Sequence, residues 1–214
     1  MALRQLYLQI NPSGLRMMQM RDRQAAFDST RNRVIANKNS TCEFCGFKGM
    51  PQQMKIINLD GNYNNNTASN LCCTCSICAR CLLIGSFEAN DDQEAVERLI
   101  ICNELSQVQL NHLYRVLLTS MSDATLEQSE IAKTAFRGLR NRATLVDDMF
   151  GRNASDTRVF VQSVLDSGVS EHQNLRSILQ NLRYFPTRYS FHDEWNLWRT
   201  QLQEQLSKDI IIRF

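Results

Sequence analysis

Cysteine is the residue whose number and spacing give this chain of 214 residues its clearest chemistry. Two Cys-x2-Cys pairs, Cys42/Cys45 and Cys75/Cys78, stand 29 residues apart. Four thiolates at one point suit a closed tetrahedral Zn²⁺ site, whereas magnesium and calcium prefer oxygen ligands. Seven of the eight cysteines fall within forty residues, which favours metal ligation over a disulfide framework. The spacing therefore predicts one structural zinc ion.

The ligands from the second cluster stay open on spacing alone. Besides Cys75/Cys78, the overlapping pairs Cys72/Cys75 and Cys78/Cys81 have the same spacing. The cysteines outside the chosen pairs are interpreted as small packed hydrophobes: Cys72, Cys73, Cys81 and Cys102. An iron–sulfur cluster is a further alternative, but two separated pairs flanking a polar loop fit zinc better.

Composition and charge narrow the class of protein. Apolar residues make up 43% of the chain and charged residues 21%, which is a globular balance. No apolar run approaches the roughly 18 residues of a membrane span, and the early charge at Arg4 does not fit a signal peptide. We therefore expect a cytoplasmic protein without membrane insertion. The net charge of +2 is too near zero to indicate nucleic-acid binding by itself.

An acidic stretch divides the chain into two predicted regions. Residues 82–130 carry nine acidic side chains against two basic ones. We place a zinc-binding module, with an N-terminal strand and helix, at 1–85. An acidic connector and a mainly helical region at 86–214 are expected to pack against it as one compact unit. Because we expect the first module to hold little apolar material of its own, the metal is expected to supply folding energy.

Local periodicity predicts the elements that position the cysteines. Alternation over Leu3–Ile10 indicates a strand, and the spacing of Met20, Phe27 and Val34 indicates a helix over 17–37. The asparagines of Asn58–Asn70 predict a loop between the two cysteine pairs.

The second region reads as helical apart from a short strand at Leu99–Cys102. Five helices are predicted there: one capped by Ser106, one over about 125–150, one from about Ser155 to Gly168, one ending before Pro186, and one over about 191–207. Trp195 and Trp198 in the last helix are interpreted as packing residues.

The motifs around the cysteines resemble the HNH endonuclease module, a ββα unit on a zinc knuckle. The shared features are Arg31-x2-Val34-Ile35, Cys42-x2-Cys45-Gly46, the asparagine-rich loop, and Asn70-Leu71 ahead of Cys75-x2-Cys78. This resemblance implies an α+β fold, with an HNH-like module followed by the helical region. It favours four zinc ligands: Cys42, Cys45, Cys75 and Cys78.

The nuclease chemistry of that module does not carry over. An HNH nuclease needs histidines to activate water and to hold the catalytic metal. The family's catalytic position falls near Ile56, and Ala79 stands where a histidine often follows the last cysteine. The three histidines of the chain all lie in the helical half and are interpreted as ordinary: His112, His172 and His192. We therefore predict that the chain is not an enzyme.

Seven short motifs recur in order along nearly the whole chain: CEFCGF at 42–47, IINLDGNY at 56–63, ASNL at 68–71, CARC at 78–81, ELSQ at 104–107, LDSGV at 165–169 and LRYFPTR at 182–188. Together they resemble the DotN/IcmJ family, zinc-containing subunits of the Dot/Icm type IV secretion coupling complex. The resemblance implies a non-enzymatic adaptor that binds the C-terminal tail of the coupling ATPase DotL, contacts other coupling-complex subunits and supports effector recruitment. It also implies a location on the cytoplasmic face of the inner membrane through that partner.

Two rival functions are weighed against this interpretation. The first is an HNH-type metal-dependent nuclease that uses Asp60 or Asn70 with an unusual base. The second is a zinc-dependent nucleic-acid-binding protein. The missing histidines weigh against the first and the near-neutral charge against the second, so no nucleic acid is expected as a partner.

A basic cluster in the second region has two interpretations. Its members are Lys133, Arg137, Arg140 and Arg142. A phosphate-binding patch is the sharper interpretation. We favour a solvated face paired internally with Asp147 and Asp148.

Overall fold

The computed structural model describes residues 3–86, 96–123, 126–167, 172–191 and 194–201. They form helices and two small antiparallel sheets, which agrees with the predicted α+β class. The helices are α1 (Gly14–Asp22), α2 (Ala25–Asn37), α3 (Ser76–Cys81), α4 (Gln107–Asp123), α5 (Leu126–Asn141), α6 (Ala143–Phe150), α7 (Thr157–Asp166) and α8 (His172–Asn181). The strands are β1 (Met54–Asn58), β2 (Leu71–Cys75), β3 (Arg98–Ile101) and β4 (Leu182–Phe185). Residues 194–201 form a further helical segment.

A β-hairpin followed at once by a helix carries the second cysteine pair. β1 pairs antiparallel with β2, with Ile56 opposite Cys73. Every residue of β2 is buried, and α2 and α3 both pack against the hairpin. The predicted asparagine-rich loop between the strands is confirmed over 59–70.

The N-terminal segment differs from its prediction. Leu6 and Leu8 are buried, as the alternation requires, but the only ladder contact over 3–10 is a single parallel bridge between Ile10 and Ile84. The backbone N–H of Arg4 donates instead to the carbonyl of Glu43, at 2.8 Å. The predicted strand is therefore an extended segment, because its backbone hydrogen bonds go to Glu43, to Cys81 at the end of α3 and to Ile84 rather than to a neighbouring strand.

The helix predicted over 17–37 is two helices. Gln24 takes an extended conformation (φ −83°, ψ 116°) and caps α2. This turn lets Met18 on α1 and Phe27 on α2 both reach the core, since each is at most 5% exposed. Met20, which the single helix would have buried, is 50% exposed.

A buried arginine fastens α1 to the hairpin. Arg21 is 3% exposed and donates through Nη2 to the carbonyl of Ile56 at 2.7 Å, and through Nη1 to Oδ1 of Asn58. Its guanidinium carbon lies 4.1 Å from the centroid of the Phe27 ring and 5.1 Å from that of Tyr63. The charge is thus held by the carboxylate of Asp22, 2.7 Å from Nη2, together with these polar contacts to the hairpin and the two aromatic rings, whose attraction for a cation grows when the site is desolvated.

The predictions for the helical half are partly confirmed. Ser106 and Gln109 cap α4 reciprocally, because Ser106 Oγ accepts from the Gln109 backbone and Gln109 Oε1 accepts from the Ser106 backbone. The helix predicted over 125–150 divides at Arg142 into α5 and α6. The predicted strand at Leu99–Cys102 is observed as β3.

A second sheet contains the segment Leu182–Phe185, which the sequence predicts as the end of a helix. β4 pairs antiparallel with β3, with Leu99 opposite Tyr184. The helical spacing of the preceding residues continues to Leu182 and predicts a helix that ends just before Pro186. The pairing with a strand some eighty residues away overrides that local preference.

One buried cluster of side chains extends through both predicted regions. At its centre Tyr114 on α4 contacts the rings of Phe136, Phe185 and Phe191 at centroid distances of 6.1 to 6.3 Å. The segment 1–85 contributes many of the buried residues, so the expectation that it holds little apolar material is wrong. No helix in the described ranges is both long enough and apolar enough to cross a bilayer.

The prediction for the last helix is only partly covered. The described helical segment at 194–201 agrees with it, while 202–207 lie outside the described residues. Residues 87–95 of the acidic stretch also lie outside them, as does His192.

Candidate metal centre

The first cysteine pair sits in a tight knuckle. Thr41 and Lys48 form a bridge, and inside it the Cys42 N–H donates to the carbonyl of Phe47 at 2.8 Å. The chain reverses at Gly46, whose φ of +73° favours glycine. Its N–H donates back to the Cys42 carbonyl at 2.9 Å. The glycine of the motif is therefore what lets the two cysteines face the same point.

The second pair spans the end of a strand and the start of a helix. Cys75 is the last residue of β2 and the N-cap of α3, and Cys78 lies in the first turn of that helix. Residues three apart on a helix lie on one face. The Cys-x2-Cys spacing therefore directs both side chains to the same side of the hairpin.

The structure brings the four predicted cysteines together. The sulfurs of Cys42, Cys45, Cys75 and Cys78 all lie within 4.8 Å of one another, and their residues are at most 5% exposed. None of the eight cysteines forms a disulfide. The Sγ atoms of Cys45 and Cys75 are 3.7 Å apart. A tetrahedron with Zn–S bonds of about 2.3 Å has S–S edges of about 3.8 Å, so the donor set and its size both fit a zinc ion.

The neighbouring cysteines have a different environment. Burial raises the pKa of the Cys73 thiol to about 12, and it also raises the pKa of Cys72 and Cys81 far above the ordinary value. None of these three belongs to the group of sulfurs described above. They are buried, protonated thiols, which agrees with their interpretation as packed hydrophobes.

Helix α4 packs against the cysteine cluster, a contact that the spacing of the cysteines does not predict. Three of its residues contact the cysteines. Asn111 Nδ2 lies 3.4 Å from the sulfur of Cys78, and His112 Nε2 lies 2.9 Å from the carbonyl of Cys45. Arg115 Nη2 donates to the sulfur of Cys75 at 2.8 Å. The available signal was a pair of polar residues, four apart, on a helix face that otherwise buries Leu110, Tyr114 and Leu118.

Arg115 places a full positive charge beside the sulfurs. It is 7% exposed, and its guanidinium carbon lies 4.3 Å from the centroid of Phe47 and 5.4 Å from that of Trp198. Burial opposes this charge, but the attraction of the four cysteines raises the pKa of Arg115 above its ordinary value. Among the described residues, its Nε and Nη1 have no hydrogen-bond partner. The sulfur cluster and the two rings are therefore what stabilise the cation.

Glu43, inside the first Cys-x2-Cys pair, ties the knuckle to three other segments. Its carboxylate accepts from the backbone N–H of Cys73 at 3.0 Å, from Nζ of Lys38 at 3.0 Å and from Nε of Arg4 at 3.4 Å. Burial disfavours the carboxylate, yet the Cys73 N–H and the two cations hold the pKa of Glu43 below 4.5. One side chain thus anchors the first cysteine pair to the strand that carries the second.

We expect Glu43→Gln to lower the free energy of unfolding by about 2 kcal/mol at pH 7, the usual size for hydrogen bonds to a charged group. Because the folded state lowers the pKa of Glu43, its contribution is complete above about pH 4.5 and is lost as the pH falls through the folded value. The free energies of unfolding of wild type and variant, measured with urea, should therefore converge once the pH lies below the folded-state pKa of Glu43. Glu104→Gln, which removes the exposed Glu104–Arg142 pair, is the control and should change little. A constant difference down to pH 3 would contradict this role.

The loop between the strands uses its polar groups internally. Asp60 accepts from Nδ2 of Asn65 at 2.7 Å and of Asn70 at 2.8 Å, and these hydrogen bonds lower the pKa of Asp60. Oδ1 of Asn70 in turn accepts from the Asp60 backbone at 3.0 Å. Ile56, near the position where the HNH resemblance would place a histidine, is fully buried in β1. Asn70 therefore shapes this loop.

The fold and the site together define a mixed α+β protein built around a buried four-cysteine cluster that fits a structural metal. No family model matches the chain. The chain is, however, 31% identical over 203 residues to the "Type 4 apparatus protein DotN" of Legionella pneumophila. That alignment covers 95% of this chain and 93% of the Legionella protein. The chain belongs to the DotN/IcmJ family.

Proposed function

We propose that this chain is a non-enzymatic subunit of a bacterial type IV secretion coupling complex. In that role it binds the C-terminal tail of a DotL-like coupling ATPase, contacts other coupling subunits and supports effector recruitment. The observation that carries the proposal is the 31% identity, over 95% of the chain, to a protein named as part of a type 4 apparatus. Attachment to the ATPase would hold the subunit at the cytoplasmic face of the inner membrane.

Cys42, Cys45, Cys75 and Cys78 would hold a single Zn²⁺ ion in this subunit. The support for this is the set of four sulfurs within 4.8 Å of one another. When bound, a structural zinc closed by four thiolates supplies folding free energy. The ligands come from the knuckle and from the β2–α3 junction, so the ion would join an HNH-like module at 1–85. The region at 86–214 packs over it through α4.

The absence of nuclease activity rests on the residues that surround the loop. Ile56 offers no acid or base, and the carboxylate of Asp60 is already occupied by amide donors from Asn65 and Asn70. If plasmid DNA were cut in the presence of Mg²⁺ or Mn²⁺, and Asp60→Asn abolished the cutting, the enzymatic alternative would replace this proposal. Steeply salt-dependent DNA affinity would favour the nucleic-acid-binding alternative.

An exposed apolar face on α6 offers a place for the tail. Leu145 and Met149 lie one turn apart on this helix and are 46% and 66% exposed. Phe150, which ends the helix, is 40% exposed, and its ring packs edge-on against Phe160 at 6.2 Å. Leu145 and Met149, at i and i+4, form one apolar stripe of the kind through which helices contact an apolar partner. We assign this face to the ATPase tail.

Met149→Glu should weaken binding of the tail peptide at least tenfold, since a carboxylate would be buried against an apolar partner. Isothermal titration of the purified chain with the tail peptide measures this directly. Met20→Glu is the matched control, because Met20 is 50% exposed on α1 and should leave affinity unchanged. If wild type binds no tail, the proposed function fails. If both variants bind like wild type, only the assignment to α6 fails.

A further inference from the structure

A cavity of about 510 Å³ opens between α5 and the segment that follows β4. Its apolar floor is Phe136, which is 7% exposed and packs against the rings of Tyr114 and Phe185. The facing wall holds Thr187, whose carbonyl accepts from the Tyr114 hydroxyl at 2.6 Å. Both sides of the cavity are therefore fixed to the core, and its volume lies in the range of small-molecule sites.

The rim of the cavity is strongly cationic. Lys133, Arg137 and Arg140 lie on one face of α5 at spacings of four and three residues, and Arg188 approaches from the other side. Glu130 is the acidic residue of the lining and is bound to Lys133 at 2.8 Å. Four positive charges thus face one negative charge.

In the part of the chain that the structure describes, the guanidinium groups of Arg137 and Arg140 form no ion pair, although the Glu130 carboxylate attracts Arg137 at longer range. Within the described ranges, no carboxylate lies within 4.0 Å of either; Arg137 donates to Thr134, and Arg140 donates to the carbonyl of Val96 at 3.5 Å. Burial and then repulsion from Arg98 lower the pKa of Arg140, as expected for a cation without a counter-charge.

The pairing predicted from the sequence for this basic cluster is not what the structure shows. Asp147 accepts instead from the backbone N–H of Ser155 at 2.7 Å. Arg142 turns away from the cavity and pairs with Glu104 at 2.7 Å. The remaining members of the cluster therefore converge on the cavity without the carboxylates assigned to them.

We propose that this cavity binds an organic phosphate of nucleotide size, with its phosphates on Lys133, Arg137 and Arg140 and its ring against Phe136 and Tyr189. Tyr189 also lines the cavity and is 46% exposed, and the guanidinium carbon of Arg188 lies 4.5 Å from the centroid of its ring. Guanidinium groups bind phosphate oxygens in pairs and keep their charge at any physiological pH. A ligand carrying several negative charges close together matches cations confined to two turns of one helix. An inorganic phosphate would leave the aromatic floor uncovered. The assignment does not depend on the cysteine cluster or on the docking of a tail to α6.

Isothermal titration at constant ionic strength, with ADP, adenosine, pyrophosphate and inorganic phosphate as probes, tests both halves of the ligand. ADP should bind at least tenfold more tightly than adenosine or inorganic phosphate, and more tightly than pyrophosphate. The double variant Arg137→Gln/Arg140→Gln should reduce ADP affinity at least tenfold. Arg152→Gln, an exposed arginine outside the cavity, is the control and should bind like wild type.

Three outcomes would overturn the proposal. If pyrophosphate bound as tightly as ADP, the ring would have no place in the site. If the Arg152 control lost as much affinity as the double variant, binding would be general charge attraction. If none of the phosphate compounds bound and a short glutamate peptide did, the cavity would be assigned to an acidic protein segment. Thermal unfolding of each variant confirms that the fold is intact.

Discussion

Replacing Cys75 with serine should abolish stoichiometric zinc binding and leave a protein that unfolds well below wild type. Cys75 is 1% exposed, and its sulfur lies 3.7 Å from Cys45 and 2.8 Å from Arg115. Loss of one of four thiolates opens the site, and loss of a structural metal belongs to the rare class of changes that cost more than about 4 kcal/mol. That is a large part of the roughly 5 to 15 kcal/mol that stabilises an ordinary domain. We therefore expect lower solubility and a Tm lower by more than about 8 °C.

Elemental analysis and thermal unfolding of the same preparation measure the two effects together. Cys81→Ser is the matched control, because Cys81 is fully buried on α3, one turn beyond Cys78, yet lies outside the sulfur group. It should keep one zinc per chain while losing some stability through the buried hydroxyl. Zinc retained in Cys75→Ser but lost in Cys81→Ser would move the second pair to Cys78/Cys81. No metal in wild type would contradict the site as a whole.

Local spacing was enough to identify the candidate cysteine pairs, because each pair depends on short-range geometry, whereas the choice of Cys75/Cys78 over the overlapping pairs rested on the family resemblance. Cys42 and Cys45 need only a turn that closes at Gly46, and Cys75 and Cys78 need only the first turn of a helix. The capping of α4 by Ser106 was predictable for the same reason. In each case the interacting atoms lie within a few residues of one another, so the sequence alone contains the information.

The parts that could not be predicted depend on contacts between distant residues. β4 is a strand because it pairs with β3, where Tyr184 lies opposite Leu99. The residues of Leu182–Phe185 do not by themselves indicate that partner. The break between α1 and α2 follows from where the core lies rather than from a proline or a glycine. The buried environment of Arg115 is the clearest case, since it needs Cys75 from forty residues earlier and Trp198 from eighty residues later.

Arg115→Met should destabilise the metal site itself. Removing one member of a buried, oppositely charged contact costs about 3 to 5 kcal/mol, because the remaining charge is left uncompensated. Four thiolates around Zn²⁺ carry a net charge of −2, and Arg115 is the cation that touches them. We expect a lower Tm and release of zinc to a chromogenic chelator that is at least tenfold faster than in wild type. Arg115→Lys keeps the charge but loses the flat contact with Phe47, so an intermediate rate is expected.

Arg21→Met separates this effect from a general loss of stability. Arg21 is also buried, at 3% exposure, and also lies over an aromatic ring, but its partners are Asn58, Ile56 and Asp22 rather than a cysteine. Both variants should lower the Tm, while only Arg115→Met should speed the release of zinc in the native protein. If the two variants released zinc at equal rates, Arg115 would act only through packing, and its charge would have no specific role in stabilising the thiolates. Faster release confined to Arg115→Met would mean that the helical half determines how firmly the metal is held, although none of the four cysteines lies in it.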